Sequence, residues 1–224
     1  MPKRASASKT TDDPAVMRER ILEAALAHVP FDGWTIAALT AGATDAGLDP
    51  AMVHEAFPGG VLDAIEHHSR LADERMLKAL EGQDLSSMRT RDKVALAIRL
   101  RLEHALKDRE AIRRALTVLA IPFNAGVGLA ALYRTVDAIW YAAGDTATDF
   151  NFYTKRGLLA GVYSATLLYW LEDKSEGHEA TWQFLSRRIE DALRVPQALA
   201  QVQKLFQGFA GPFGQPWRGG RAKD

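Results

Sequence analysis

Apolar residues in this chain recur at three- and four-residue spacing along nearly its whole length, and nowhere does strict two-residue alternation persist. That period belongs to helices that bury one face, so it confines the chain to an all-α architecture. Residues 18–28 place Ile21, Leu22, Ala25 and Leu26 on one face, with Val29 just beyond, before Pro30 and Gly33 end the segment. Thr35 is positioned to N-cap a second helix reaching about Ala43. Gly47 makes a turn, and Asp49 and Pro50 supply the N-cap and first position of a short third helix through Phe57. Pro58, Gly59 and Gly60 break that helix. The next runs over 61–80 and carries Leu62, Ile65, Leu71 and Leu77.

Residues 82–90 form a polar linker. Beyond it the periodicity predicts helices over 91–107, 109–121, 126–143, 150–171 and 178–195. Pro196 is expected to interrupt the pattern, leaving one last helix over 197–209. The organisation read from this is a disordered tail (1–14), an N-terminal helix-turn-helix-like unit (15–81), a larger bundle (91–195), and a C-terminal helix with its tail (196–224). Residues 150–171 are apolar nearly all round, with Gly157, Ala160, Gly161, Ser164 and Ala165 along them. Such a helix packs on several sides or lines an apolar cavity, and its small residues suit core packing, a dimer seam or room for a ligand.

The 224 residues contain no cysteine, which excludes disulfides and thiolate metal sites. Lysine plus arginine equals aspartate plus glutamate at 28 each, so no global charge draws the chain to nucleic acid or anionic lipid. Met1 to Pro14 lacks the apolar centre of a secretion signal and carries Asp12 and Asp13 against a transit peptide. This favours a cytoplasmic protein over a mature mitochondrial matrix protein. Ala115 to Tyr133 is uncharged and of spanning length, but Pro122, Asn124, Gly126 and Gly128 divide it into what read as two shorter buried helices.

The N-terminal helix, turn and short helix follow the pattern of the TetR repressors, whose third helix enters the DNA major groove. From Phe31 to Ser69, however, there is no lysine or arginine, while Asp32, Asp45, Asp49, Glu55, Asp63 and Glu66 are present. Phosphate neutralisation supplies most sequence-independent DNA affinity, so six carboxylates here argue against nucleic acid as a partner. A ligand-sensing regulator of TetR type remains the alternative.

Candidate chemistry is sparse. His67 and His68 stand near Asp63 and Glu66, but only Asp63 and His67 share a helix face, fewer than a metal site needs; the pair reads as histidines on a solvated helix. No Glu-x-x-His pair, Gly-x-Ser-x-Gly elbow or phosphate-cradling glycine loop occurs. The reading is therefore of a non-enzyme, with no catalytic residue, metal or cofactor assigned. Residues 140–156 are dense with Trp140, Tyr141, Phe152, Tyr153 and Arg156 beside Asp145, Asp149 and Asn151. Gly144 can close one helix and Thr148 or Asp149 can cap the next, while aromatics with arginine are what an interface uses as anchors. The last helix sets Leu199, Val202, Leu205, Phe206 and Phe209 on one face, which suits a membrane surface or the protein's own core.

The stretch Ile21–Leu26 through Val29-Pro30-Phe31-Asp32-Gly33-Trp34-Thr35, then residues 140–156 and Thr181–Leu185, resembles the ubiquinone biosynthesis family known as Coq-nine over about 18–195. The resemblance implies a homodimeric TetR-like fold with a degenerate helix-turn-helix and an extra amphipathic helix. It implies an apolar pocket for lipid or isoprenoid quinone precursors, for which Leu102, Leu116, Leu119, Leu132, Val136, Ile139, Leu158 and Val162 are the apolar candidates. It further implies a membrane-binding C-terminal helix, a peripheral place on the inner membrane, and a demethoxyubiquinone hydroxylase as partner at residues 140–156. Phe152 stands where animal relatives carry tryptophan. It keeps a ring and loses the indole donor.

Overall fold

Caps and glycines decide where the helices of this chain begin and end. The structure, a computed structural model, describes residues 13–144 and 150–209, with side chains except at 150–152 and 195–209. Ten α-helices and three 3-10 turns, without a strand, make up the regular structure of the described residues. Helix α1 is Pro14–Ala25, α2 the single turn Val29–Asp32, α3 Ile36–Asp45, α4 Met52–Ala56 and α5 Gly60–Glu81. Then come α6 (Thr90–His104), α7 (Arg109–Leu119), α8 (Ala125–Ala142), α9 (Phe150–Glu172) and α10 (Glu179–Phe209).

Asp13 caps α1 by accepting the Ala15 N–H at 3.0 Å, and Thr35 caps α3 through the Ala38 N–H at 3.1 Å. Asp49 accepts the Ala51 N–H at 2.9 Å, yet the helix it introduces starts at Met52 and holds only five residues. Gly33, in an extended positive-φ conformation at 71°, lets the chain leave α2. Gly144 does the same after α8, at φ 85°, with its N–H on the Tyr141 carbonyl. The anticipated caps of α9, Thr148 and Asp149, lie outside the described residues, as do Met1–Asp12 of the expected tail.

Two cores form, and their division differs from the one expected at the polar linker. The first holds Ile21, Leu22, Val29, Trp34, Leu39, Val53 and Phe57, with Ala64 and Ile65 from the start of α5. It also takes Ala111 and Ala115 of α7, a helix far away in sequence. Trp34 Nε1 donates to the Ala111 carbonyl at 2.8 Å, and Arg114 donates to that of Pro30 at 2.5 Å. The second core gathers Met76 and Leu80 from the far end of α5 with apolar residues of α6, α8, α9 and α10. Helix α5, 22 residues long, therefore threads both cores, and the chain has no boundary at residues 82–90 that separates them.

The expected stop at Pro196 is also absent: α10 runs unbroken for 31 residues. A proline removes one helical hydrogen bond but need not end a helix when neighbours favour it, and Ala192, Leu193 and Arg194 before it and Gln197, Ala198 and Leu199 after it all do.

Helices α1 and α3 cross at Gly42. A Cβ there would sit 2.5 Å from the Ala25 backbone nitrogen and 2.6 Å from its Cα. Backbone cannot rotate away as a side chain can, so Gly42→Ala must push the two helices apart. We expect it to destabilise by about 1–3 kcal/mol, as overpacking does, despite the better helix propensity of alanine. Thermal unfolding checks this: melting unchanged from wild type would refute the close crossing.

Candidate functional site

Where α5, α6, α7, α8 and α9 meet, they leave a cavity of about 370 Å³. Its wall is apolar along α7 and α8: Ile112, Ala115, Leu116, Leu119, Leu129 and Leu132 all line it. Three of the eight residues proposed from sequence, Leu116, Leu119 and Leu132, are thus brought together on it. Leu102, Val136, Ile139 and Val162 are instead closed within the second core, and Leu158 is half-buried away from the cavity. Leu102, Val136 and Val162 each stand next in sequence to a wall residue (Arg101, Thr135 and Tyr163), while Ile139 and Leu158 lie further along their helices.

One end of the cavity is polar, and this end the sequence reading missed. Arg101 of α6 and Asp73 of α5 are both buried, with Arg101 Nε donating to Asp73 Oδ1 at 2.8 Å. Thr135 of α8 donates its hydroxyl to the same oxygen at 2.8 Å, and Arg134 Nε donates to Oδ2 at 3.2 Å. Arg101 also donates to the Tyr163 hydroxyl and to Ser69 Oγ, the latter at 3.2 Å. Arg101, Thr135, Tyr163, Ser69, His68 and Glu66 line the cavity. A signal was available: Arg101 stands between Ile98 and Leu102, and Asp73 between Ala72 and Met76, on stripes otherwise apolar and buried.

The opposite end opens beside the junction of α7 and α8. The uncharged stretch there does form two helices, bent by 102° at the break, but it is not buried as expected. Phe123 is 97% and Leu129 66% exposed, and Ile121 and Tyr133 are also exposed. Ala120, Ala125 and Leu129 belong to both this elbow and the cavity wall. Periodicity gives the width of an apolar face and says nothing about what covers it, so the outward turn was not readable. No single helix among the described residues is long and apolar enough to cross a membrane.

The histidines are placed differently from a solvated pair. His68 is buried, 3.3 Å from Asp108 and ring to ring with Trp34 at 5.8 Å. Burial, then the Arg18 and Arg70 charges, pushes His67 down to about 4, so it is neutral at pH 7. Asp63 is taken by Arg18, and Glu66 by Arg70 and Arg134 at 2.9 and 3.2 Å. Among the described residues no three histidine or carboxylate side chains converge as metal ligands.

Around the α8–α9 connection, Tyr141 and Tyr153 are 80% and 71% exposed. Trp140 is half-buried beneath Lys155, whose Nζ lies 5.7 Å from the ring centre. Arg156 is not placed as an exposed interface anchor. It is 7% exposed and donates through Nε and one terminal nitrogen to Asp137 at 2.8 and 2.6 Å. The reason is its register: it faces α8 rather than solvent. Asn151 and Phe152 fall within α9, and Leu199, Val202, Leu205, Phe206 and Phe209 within α10, but their side chains lie outside the described residues. So do Asp145 and Asp149 altogether.

Comparison with known proteins gives consistent matches. A family model described as COQ9 matches residues 125–196, and one described as "Ubiquinone biosynthesis protein COQ9, N-terminal domain" matches 16–44. The mitochondrial ubiquinone biosynthesis protein COQ9 of Drosophila melanogaster is 35% identical over 88% of this chain and 61% of its own length. That of Homo sapiens is 34% identical over 87% and 64%. The COQ9-B protein of Xenopus laevis is 32% identical over 87% and 70%. The chain thus spans just under two thirds of the first two relatives. A solved TetR transcriptional regulator from Nitrosomonas europaea superposes with a TM-score of 0.65 at 21% identity, covering 81% of this chain and 99% of that one. At that identity the likeness speaks for the fold alone, which is all-α and TetR-like.

Proposed function

Because this chain belongs to the COQ9 family of ubiquinone biosynthesis proteins, we propose that it is a lipid-binding accessory protein which holds isoprenoid or quinone precursors and presents them to a demethoxyubiquinone hydroxylase at a membrane. The carrying observation is the cavity: a mostly apolar space between helices, with a polar group of residues on its wall and exposed apolar residues at its rim. Concave, mostly apolar sites with a few placed polar groups are what small hydrophobic ligands occupy, and about 370 Å³ is at the lower end of their range. A long chain would leave its tail outside, against the elbow of Ile121, Phe123 and Leu129.

In this reading the protein supplies binding and delivery, while the chemistry belongs to the partner enzyme. The exposed rings of Tyr141 and Tyr153 support a partner surface there, since exposed aromatics are frequent binding anchors. The exposed face of α9, where Gly157 and Gly161 leave the backbone uncovered and the Leu168 side chain is exposed, supports a homodimer seam. The spacing of Leu199, Val202, Leu205, Phe206 and Phe209 supports attachment to a membrane surface. The relatives are named as mitochondrial, which supports a matrix-side, peripheral position on the inner membrane.

Mass spectrometry of lipid extracted from the purified protein tests this reading. The expected result is a stoichiometric isoprenoid or quinone lipid. Protein that carries none, and that takes up none from vesicles containing such lipids, overturns it.

A further inference from the structure

The polar end of the cavity contains hydroxyl groups whose hydrogens have nowhere to go. Arg101 donates to Tyr163 Oη and to Ser69 Oγ, so each of these oxygens spends a lone pair on the guanidinium. Neither hydroxyl has an acceptor of its own among the described residues. Several other helical hydroxyls, those of Thr40, Thr44, Thr117, Thr166 and Ser186, donate back to the carbonyl four residues earlier; Ser69 does not. Thr135 is different again, since its hydrogen goes to Asp73. A hydroxyl withdrawn from water that has not used its hydrogen is costly unless something accepts it; Tyr163 is buried, Ser69 is half-buried, and both line the cavity.

The charge of the site selects among acceptors. Arg101 is the one lysine or arginine on the wall among the described residues, and Asp73 pairs with it at 2.8 Å. Its remaining contacts also run into protein: the Ser69 carbonyl at 3.3 Å and Thr135 Oγ1 at 3.4 Å. The wall also carries the carboxylate of Glu66. An anionic head would therefore meet charges that are already matched, Arg101 by Asp73 and Glu66 by Arg70 and Arg134, whereas a neutral oxygen acceptor would meet two ready donors. Burial raises the Tyr163 pKa against the opposing pull of Arg101, which keeps the phenol protonated and able to donate.

We propose that Tyr163 and Ser69 are the specificity-determining donors for an uncharged lipid head bearing carbonyl-type oxygens, and that Arg101 is a positioning residue that turns both hydroxyls toward it. This rests on the lipid-binding reading above and adds the orientation: head inward at the polar end, chain outward past Leu116, Leu119 and Leu129 to the elbow. Specificity of this kind is expected because a site built to donate hydrogen bonds leaves its donors unsatisfied when the ligand lacks acceptors.

The test is a titration of the full chain with three probes of equal chain length: a prenylated 1,4-benzoquinone, the corresponding prenyl hydrocarbon, and the prenyl phosphate. Wild type should bind the quinone about tenfold more tightly than the hydrocarbon, roughly the net value of one or two hydrogen bonds. Tyr163→Phe should remove most of that difference while leaving hydrocarbon affinity unchanged, and Ser69→Ala should remove part of it. Both variants are first shown to be folded by their melting temperatures, and titrated well below them. Equal weakening toward quinone and hydrocarbon would make Tyr163 a packing residue and overturn the assignment. So would tighter binding of the phosphate, which would make the site an anion site. Wild type that binds none of the probes would overturn the lipid-binding reading itself, and this assignment with it.

Discussion

Asp73→Ala is expected to lower the stability of the protein by about 3–5 kcal/mol, the usual consequence of breaking a buried ion pair from one side. Asp73 receives Arg101 and Thr135 on one oxygen and Arg134 on the other, and both Asp73 and Arg101 are buried. Removing the carboxylate leaves the buried Arg101 guanidinium without its closest counter-charge. At roughly 2–4 °C per kcal/mol for a chain of this size, the melting temperature should fall by about 6–20 °C. The penalty comes from the stranded charge rather than from the net worth of the pair, so Asp73→Ala with Arg101→Met should recover much of the loss. If Asp73→Ala melts like wild type, the pair is hydrated and the polar end of the cavity is not closed as described. The double variant should at the same time lose the preference for a quinone head, because Tyr163 and Ser69 no longer face a donor that holds them outward.

What the sequence exposed, and what it hid, follows from the kind of information each residue carries. Local rules were enough for the helices: Thr35 offered a side-chain acceptor where an N-terminus needed one, and Gly144 a positive φ where α8 had to end. These are contacts within four residues, visible in one dimension. Pro196 misled because its local penalty is real but smaller than the combined preference of the residues on either side of it. The division into units misled for a different reason. Ala111 and Ala115 look like ordinary small residues of the larger bundle, and only the fold shows that they close the N-terminal core against Trp34.

The candidate site was half legible. Leu116, Leu119 and Leu132 could be named because a cavity in a helical bundle is walled by the inner apolar stripes, and those stripes repeat every three or four residues. Their neighbours Leu102, Val136, Ile139 and Val162 obey the same period yet fall into solid core, which periodicity alone cannot separate. The polar end escaped because its members lie 28 to 62 residues apart in pairs such as Arg101 with Asp73 and Arg101 with Tyr163. Arg156 shows the converse. Grouped with the rings of 140–156 it reads as an interface anchor, but Asp137, one helix back, takes it.

Trp170→Ala should be comparably damaging, at about 3–5 kcal/mol, the range for truncating a fully buried tryptophan. Trp170 is completely enclosed near the end of α9, with Arg109 5.3 Å from its ring centre and the His178 ring 6.2 Å away. The site is rigid because α7 fastens the last turn of α9: Arg109 donates to the carbonyls of Trp170 and Asp173, and Arg113 to that of Leu171. Those arginines satisfy carbonyls that a helix C-terminus leaves open. Just beyond, the Asp173 carboxylate receives the Ser175 and Thr181 N–H groups and the Thr181 hydroxyl, and although burial opposes its charge, these bonds hold its pKa well below the usual carboxylate range. Walls fastened this firmly cannot collapse into the space an indole leaves, so the cavity term should be near its full size. Trp170→Phe separates volume from polarity. The indole Nε1–H is buried without a hydrogen-bond partner among the described residues, and phenylalanine removes that unsatisfied donor while refilling most of the space. Its cost should therefore be within about 1 kcal/mol, since the relief of one unsatisfied group offsets the lost contacts. Denaturant unfolding of both variants decides the matter. A phenylalanine variant as unstable as the alanine one would mean that the indole nitrogen is bonded after all, and that the end of α9 is held by the tryptophan rather than by Arg109 and Arg113.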